Sequence, residues 1–204
     1  YDFNITDLQV EIVYPKPYNI LTGTLSSNTT LSATSDYLLS GTVIVPSGVT
    51  LTIPAGTRIY GATSPAGALL IKQGGKIDAQ GTATNPIVFS SEKSTGSRSA
   101  GDWQGIILQG NGIQTFGGYG TTAVGEGDVG NFGGTNDADS SGTMKYVRIE
   151  FAGAPFSPGN ERNCLSLQGI GSGTTLQYIQ CHRGYDDGLE WWGGAVNMKY
   201  LVAR

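Results

Sequence analysis

The chain has 204 residues, of which 32 are glycine and 14% are charged, and its formal net charge is −4. The small charged fraction excludes a charge-rich disordered protein, and the high glycine content excludes a helical bundle and predicts many tight turns. The Lys and Arg residues are scattered along the sequence, which argues against a nucleic-acid partner. No apolar run approaches the ~20 residues of a membrane-spanning helix, and the length suits a single domain.

The first half of the chain predicts short β-strands and lacks helical periodicity. An N-terminal β segment at Leu8 to Tyr14 falls in a first region, residues 1–35, which we expect to cap or extend the domain or to act as an assembly arm. The main domain is predicted to span residues 36–204. Its first strand-like runs are bounded by Gly, Pro, Ser or Asn, and they lie at residues 37–45, 49–53, 57–61, 68–81 and 86–91.

A glycine-rich insertion interrupts the pattern of strands at residues 111–141. It has little β character and is predicted to be a long surface loop that projects from one corner of the fold. Its end, "DADSSG", is similar to the start of a calcium-binding loop, although Arg148 stands where an EF-hand has its bidentate acid. A Ca²⁺ site is therefore one hypothesis, and a hydrated acidic loop is the alternative. The candidate calcium ligands are Asp137, Asp139, Ser141, Glu126 and Asp128.

Two sets of similar segments recur in the second half of the chain and predict its architecture. One set is centred on a tyrosine, and the other interleaves with it. Strands that recur every ~22 to 24 residues are typical of a β-solenoid, whose coils stack ~4.8 Å apart and would align the tyrosines in a ladder. A β-sandwich is the alternative, but it does not predict the same strand three times in phase. The tyrosines are Tyr146, Tyr178 and Tyr200, and the second set is "IILQG" (106–110), "LSLQG" (165–169) and "LEWWG" (189–193).

The alternation of residues in the tyrosine-centred strands predicts which side chains face the interior. Cys181 is one of them, and it is interpreted as a small core residue. Cys164 belongs to the other type of strand, so we expect that it does not form a disulfide with Cys181. The predicted inward residues are Val147, Ile149, Ile179, Cys181, Leu201 and Ala203.

The segment "GYDDGLEWWGG" is the main candidate for a catalytic or binding site. Glycoside hydrolysis uses two carboxyl groups, which Asp186, Asp187 and Glu190 could supply. Adjacent aspartates also cap backbone N–H groups in ordinary turns, and we favour this non-catalytic interpretation. Trp191 and Trp192 alternate across a strand, so at most one of them faces outward, where it could stack on a sugar ring.

Five motifs occur in order: "YLLSGTVIVPSGVTLTIPAGTRIYG" (37–61), "GGKIDAQGTATNPIVFSS" (74–91), "GDWQGIILQG" (101–110), "DADSSGTMKYVRIEFAG" (137–153) and "GYDDGLEWWGGAVNMKYLVA" (184–203). With these motifs the chain resembles the secreted or surface-anchored right-handed parallel β-helix proteins of Gram-negative bacteria, over about residues 20–204. The resemblance implies a β-helix outside the cell or on its outer surface. It implies no reaction, because the family has no settled catalytic residues to carry over.

The sequence therefore predicts an all-β, right-handed parallel β-helix (β-solenoid) of about six coils, with a Gly-rich acidic loop insertion. We expect a non-catalytic structural protein, outside the cell or at its surface. Copies of the chain could join end to end into a filament, because an unpaired terminal coil exposes backbone N–H and C=O groups. The alternative is a β-helix that binds or degrades polysaccharide. The expected partners are the chain itself or polysaccharide, without a nucleic acid or a membrane span, and Ca²⁺ is the one cofactor considered.

Overall fold

Parallel strands wind into a right-handed β-helix with three faces, which confirms the predicted fold class. The computed structural model describes residues 17–116, 118, 120–127, 129–157 and 160–204, so the predicted strand at Leu8 to Tyr14 lies outside the described residues. In each coil the chain follows one face, face A, then a second, face B, then a third, face C, and the strands of each face pair with the equivalent strands of the neighbouring coils. The described residues contain no helix that could cross a membrane.

The strands of each face come from successive coils. Face A contains β1 (Asn19–Leu21), β3 (Asp36–Leu39), β6 (Arg58–Gly61), β9 (Ile87–Ser91) and the C-terminal parts of β13 (Gly142–Glu150), β17 (Thr175–His182) and β19 (Asn197–Ala203). Face B contains β4 (Thr42–Val45), β7 (Ala68–Ile71), β10 (Gly105–Gln109), β16 (Leu165–Ile170) and β18 (Leu189–Gly194). Face C contains β2 (Thr29–Thr30), β5 (Thr50–Pro54), β8 (Lys76–Gln80) and the N-terminal parts of β13, β17 and β19. Two antiparallel hairpins pair β11 (Ala123–Val124) with β12 (Asn131–Phe132) and β14 (Pro155–Ser157) with β15 (Asn160–Glu161).

The six strands of face C define six coils, the number expected from the sequence. The first coil already includes residues 19–30, because β1 pairs with β3 and β2 pairs with β5. Part of the region predicted as an N-terminal segment, residues 1–35, therefore forms the first turn of the β-helix.

Alternate side chains of each strand point into the β-helix and stack from coil to coil. On face A, one such column contains Ile59, Phe89, Ile149 and Cys181, each at most 2% exposed. The inward positions predicted in β13 and β17 are confirmed, since Val147 and Ile179 are buried as well. Leu201 and Ala203, in the face A part of β19 that follows the sixth coil, are less buried.

The predicted tyrosine ladder is confirmed. The rings of Tyr146, Tyr178 and Tyr200 are stacked, with centroids 4.3 and 4.4 Å apart. Each tyrosine has a positive φ, between 49° and 61°, which bends its strand from face C to face A. A tyrosine rarely adopts this left-handed conformation, so the repeated stacking helps to hold each corner in place.

The second set of repeated segments is also stacked in register, on face B. Ile106 pairs with Leu165, which in turn pairs with Leu189. Two residues later in β10 and β16, Leu108 and Leu167 face the interior. The next residues, Gln109 and Gln168, face the outer surface. Gln109 Nε2 donates a hydrogen bond to Gln168 Oε1 at 2.9 Å, so outward polar side chains link successive coils.

Cys164 and Cys181 form a disulfide, so the expectation that they would not pair is wrong. Their Cα atoms are 6.1 Å apart, a distance that a disulfide spans. Cys181 lies near the end of β17 on face A, and Cys164 directly precedes β16 on face B. The two strand types belong to different faces, but these faces converge at a corner, which the spacing of the repeats did not reveal.

The insertion at residues 111–141 folds back over face B, so the prediction that it projects from a corner is wrong. Phe132 of its hairpin is fully buried. Gln109 Nε2 donates to Gly130 O at 3.2 Å, and Gln168 Nε2 donates to Glu126 O at 3.4 Å. The physical reason is the apolar outer surface of face B: Ile107 is only 1% exposed, and its outward neighbour Gln109 contacts the insertion.

Candidate functional site

The predicted acidic site is divided between a turn and a strand. Asp186 and Asp187 are exposed on the turn that joins face A to face B, whereas Glu190 lies on β18. Asn163 Nδ2 donates to Glu190 Oε2 at 2.5 Å. Burial and the charges of the two aspartates raise the pKa of Glu190, although the hydrogen bond from Asn163 opposes this shift. A catalytic role for these three acids stays a prediction.

The two tryptophans point to opposite sides of β18, as the alternation predicts. Trp191 is in register with the inward Leu167, yet it is 49% exposed in the sixth coil. Trp192 faces outward, where its ring contacts Phe116 and Phe132 of the insertion, with centroid distances of 4.7 and 6.4 Å. A sugar ring on Trp192 would have to displace these contacts. Sugar stacking on either tryptophan stays a prediction.

Two of the acids in the predicted calcium loop bind backbone N–H groups. Asp139 Oδ2 accepts a hydrogen bond from Asn111 N–H at 2.7 Å. Asp137 Oδ1 accepts one from Ile113 N–H at 2.8 Å. Both carboxylates thus cap the beginning of the insertion, which is the role that aspartates commonly have in turns.

Ser141 and Glu126, two of the other predicted calcium ligands, contact residues different from those that this pair contacts. Ser141 is buried, and its N–H donates to Thr174 Oγ1. Glu126 lies beside Asn163, 3.4 Å from its Nδ2, and Asp128 is outside the described residues. Within the described part of the chain, no three His, Cys, Asp or Glu side chains form a group that could hold a metal ion. A calcium ion here stays a prediction.

Face A carries a basic site that the sequence analysis missed. The cationic residues are scattered along the sequence, but five of the six arginines lie on or beside the outer surface of this face. Two adjoining depressions of about 220 and 260 Å³ contain four of these arginines, and we call them the arginine groove. The five arginines are Arg58, Arg98, Arg148, Arg183 and Arg204.

The strands position part of this groove, and the register explains how. Arg58 pairs with Val88, and Val88 pairs with Arg148, so the three outward side chains form one row across successive coils. An alignment of the face A strands could have identified Arg58 and Arg148. Arg98 and Arg183 lie in loops or turns that follow strands. There, no repeat in the sequence predicts the direction in which a side chain points.

Arg98 joins the two depressions, and its loop is held by a buried carboxylate. Asp102 accepts hydrogen bonds from Lys93 Nζ at 2.6 Å, Ser91 Oγ at 2.7 Å and Ser99 N–H at 2.9 Å. Arg98 Nε donates to Lys93 O at 2.8 Å. Burial raises the pKa of Asp102, but these hydrogen bonds outweigh it, so its pKa lies below the ordinary value.

The guanidinium of Arg98 lies between an aromatic ring and a carboxylate. Its Cζ is 5.8 Å from the centroid of the Tyr60 ring, and Nη1 is 4.0 Å from Glu150 Oε2. Glu150 also forms an ion pair with Arg148 and accepts a hydrogen bond from Ser90 Oγ at 2.8 Å. Glu150 therefore orients two arginines of the groove.

His182, the single histidine of the chain, lies at the end of the groove. Its pKa is lowered by burial and by the positive charges of Arg148, Arg183 and Arg204, although Glu150 opposes the shift. Its Nδ1 is buried and has no hydrogen-bond partner among the described residues. The local potential is thus positive on a chain whose net charge is negative.

Residues 23–204 match a family described as the pectate-lyase like beta helix domain. The chain belongs to this family. No curated protein and no solved structure matched it. The finer grouping predicted from the motifs, with surface proteins of Gram-negative bacteria, stays a prediction.

In this pectate-lyase-like β-helix, the arginine groove has the chemistry of an anion-binding surface. Arginine presents several N–H donors in a plane and forms paired hydrogen bonds with carboxylate and other oxyanions. The groove contains four arginines, and Glu150 is the one acid among its described lining residues. The arrangement can therefore hold a ligand that carries several negative charges.

Proposed function

We propose that this protein is a non-catalytic β-helix module that binds an anionic polysaccharide along face A, outside the cell. The observation that supports the proposal is the arginine groove. Arg58 and Arg183 belong to the third and sixth coils, roughly 14 Å apart at the ~4.8 Å spacing of neighbouring strands. An extended polymer with one acidic group on each sugar would contact cations along this whole distance.

Binding without cleavage is the simpler interpretation of the groove. Its one described carboxylate, Glu150, is engaged by Arg148 and Ser90, so it serves to position cations. Glycoside hydrolysis would need a second carboxyl group facing the first across the sugar. The disulfide between Cys164 and Cys181 supports a location in an oxidising compartment, such as the outside of the cell.

The proposal is tested by removing exposed arginines of the groove. The double variant Arg58→Gln/Arg183→Gln should bind polygalacturonate at least about 5-fold more weakly, because two charge-assisted contacts are lost. The matched control, Lys76→Gln/Lys199→Gln, removes the same charge from face C and should bind like the unmodified protein. Isothermal titration calorimetry at two salt concentrations measures the affinities, and thermal unfolding verifies that each variant is folded.

Three results would contradict the proposal. Equal losses of affinity for polygalacturonate in both double variants would show that binding depends only on the net charge. Equal affinity for polygalacturonate and for neutral dextran would show that the arginines do not recognise the acidic groups. Release of new reducing ends or unsaturated sugars would show that the protein cleaves its ligand.

End-to-end assembly into a filament stays a prediction from the sequence. Electron microscopy of the concentrated protein tests it directly: regular fibres would support assembly, and monomers alone would contradict it.

A further inference from the structure

A separate cavity of about 510 Å³ lies on the outer surface of face B. Its floor is apolar and consists mainly of the outward residues Ile44 and Leu70, with Pro46 at the following turn. Val129 of the insertion and Phe156 of the β14–β15 hairpin also line it. The volume is within the range of ~300 to 1,000 Å³ that is typical of sites for small molecules.

Two cations line this cavity, and neither forms an ion pair with a described residue. Arg162 is only 3% exposed. Its Nη1 donates to Gln104 Oε1 at 2.7 Å and its Nη2 to Gly127 O at 2.9 Å, while its Nε is buried and has no hydrogen-bond partner in the described part of the chain. The second cation, Lys72, donates from Nζ to Val129 O at 2.7 Å.

The surroundings of these two cations are unfavourable to isolated positive charge. Burial lowers the pKa of Arg162 to about 10, and it also lowers the pKa of Lys72. The ring of Phe156 lies 5.1 Å from Arg162 Cζ and gives weak compensation. Because a buried charge is costly without a counter-charge, a bound anion would be held strongly here. None of the described lining residues is acidic.

We propose that this cavity binds a small carboxylate that has an apolar body, such as a medium-chain fatty acid. Lys72 and Arg162 recognise the carboxylate, and Ile44 and Leu70 contact the hydrocarbon. The apolar floor argues against a sugar, whose hydroxyl groups would find few hydrogen-bond partners there. This site is on a different face from the arginine groove, so it does not depend on the proposed polysaccharide function.

Calorimetry with decanoate, below its micelle concentration, tests the site on the intact chain. The unmodified protein should bind decanoate at least about 5-fold more tightly than the uncharged decanol, because only decanoate satisfies the cations. Lys72→Gln should weaken decanoate binding by a similar factor and leave decanol binding unchanged. A second variant, Ile44→Asp, places a negative charge on the floor and should abolish the binding of both ligands. Thermal unfolding of each variant verifies its fold.

Two control variants locate the binding. Lys76→Gln removes a lysine from face C, and Arg58→Gln removes a cation from the arginine groove; decanoate binding should be the same in both as in the unmodified protein. The proposal is wrong if decanoate does not bind, if decanol binds equally well, or if Lys72→Gln has no effect. A loss of decanoate affinity in Arg58→Gln would place the ligand in the arginine groove and would also overturn the proposal.

Discussion

Faces A and B share one interior but differ in what their outer surfaces do. The inward columns of both faces are apolar and buried, for example Phe89 on face A and Leu167 on face B. The outward residues differ, because Arg148 on face A is charged and partly exposed, whereas Ile107 on face B is apolar and covered by the insertion. In a β-helix the core uses every second residue, so the remaining residues are free to specify each outer surface.

The segments that cover these two surfaces are held by different interactions. The loop that carries Arg98 is fastened by polar contacts to Asp102, and it leaves a charged groove open on either side. The insertion is fastened by buried apolar side chains such as Phe132 and by hydrogen bonds to Gln109 and Gln168. The outer surface therefore determines what kind of segment packs on it.

The largest effect is expected from a charge placed under the insertion. Ile107→Asp should lower the free energy of unfolding by about 3 to 5 kcal/mol, because an unpaired carboxylate would be buried between β10 and the insertion. The comparison variant is Val88→Asp, at an outward and only partly buried position of face A. Val88→Asp should lower the free energy of unfolding much less, since water reaches this surface. Urea unfolding of both variants measures the difference; equal costs would show that the two faces are covered alike.

The disulfide joins the two faces at a corner, and its removal should have the next largest effect. Cys164 and Cys181 are 17 residues apart. Replacing both with Ala should lower the free energy of unfolding by about 3 kcal/mol, mainly because the unfolded chain gains freedom. Urea unfolding of this variant, and of the unmodified protein with and without a reducing agent, measures the effect. A change well below 1 kcal/mol would mean that the corner is held by packing alone.

The smallest effect concerns the polar attachment of the face A loop. The pKa of Asp102 is lower in the folded protein than in the unfolded chain, so its ionised form favours folding. This contribution is complete above the unfolded value of about 4 and is lost as the pH falls through the lower, folded value. Asp102→Asn should be less stable than the unmodified protein by about 1 kcal/mol at pH 7, and the difference should disappear at low pH. Thermal unfolding from pH 7 to pH 2 measures it; a difference that is independent of pH would contradict the role of the charge.

The repeated strands made much of the fold predictable. The tyrosine-centred segments identified the inward residues Val147 and Ile179, and they predicted the ladder that Tyr146 and Tyr178 begin. These predictions depend only on the alternation of side chains and on the stacking of similar segments, which are local properties of a sequence. The arginine groove was less predictable, because its residues come from several coils, whereas the acids and tryptophans of "GYDDGLEWWGG" lie in one continuous segment.

The sequence by itself determined the β-helix, the number of its coils and the direction of its core side chains, because each follows from a short repeat. Only the tertiary structure decided where the insertion lies, that Cys164 meets Cys181, and that Arg58 and Arg148 share one surface with Arg98. These features join residues that are far apart in the chain or that lie in loops without a period. Their proximity arises when the coils stack and their corners converge, and no local pattern specifies that geometry.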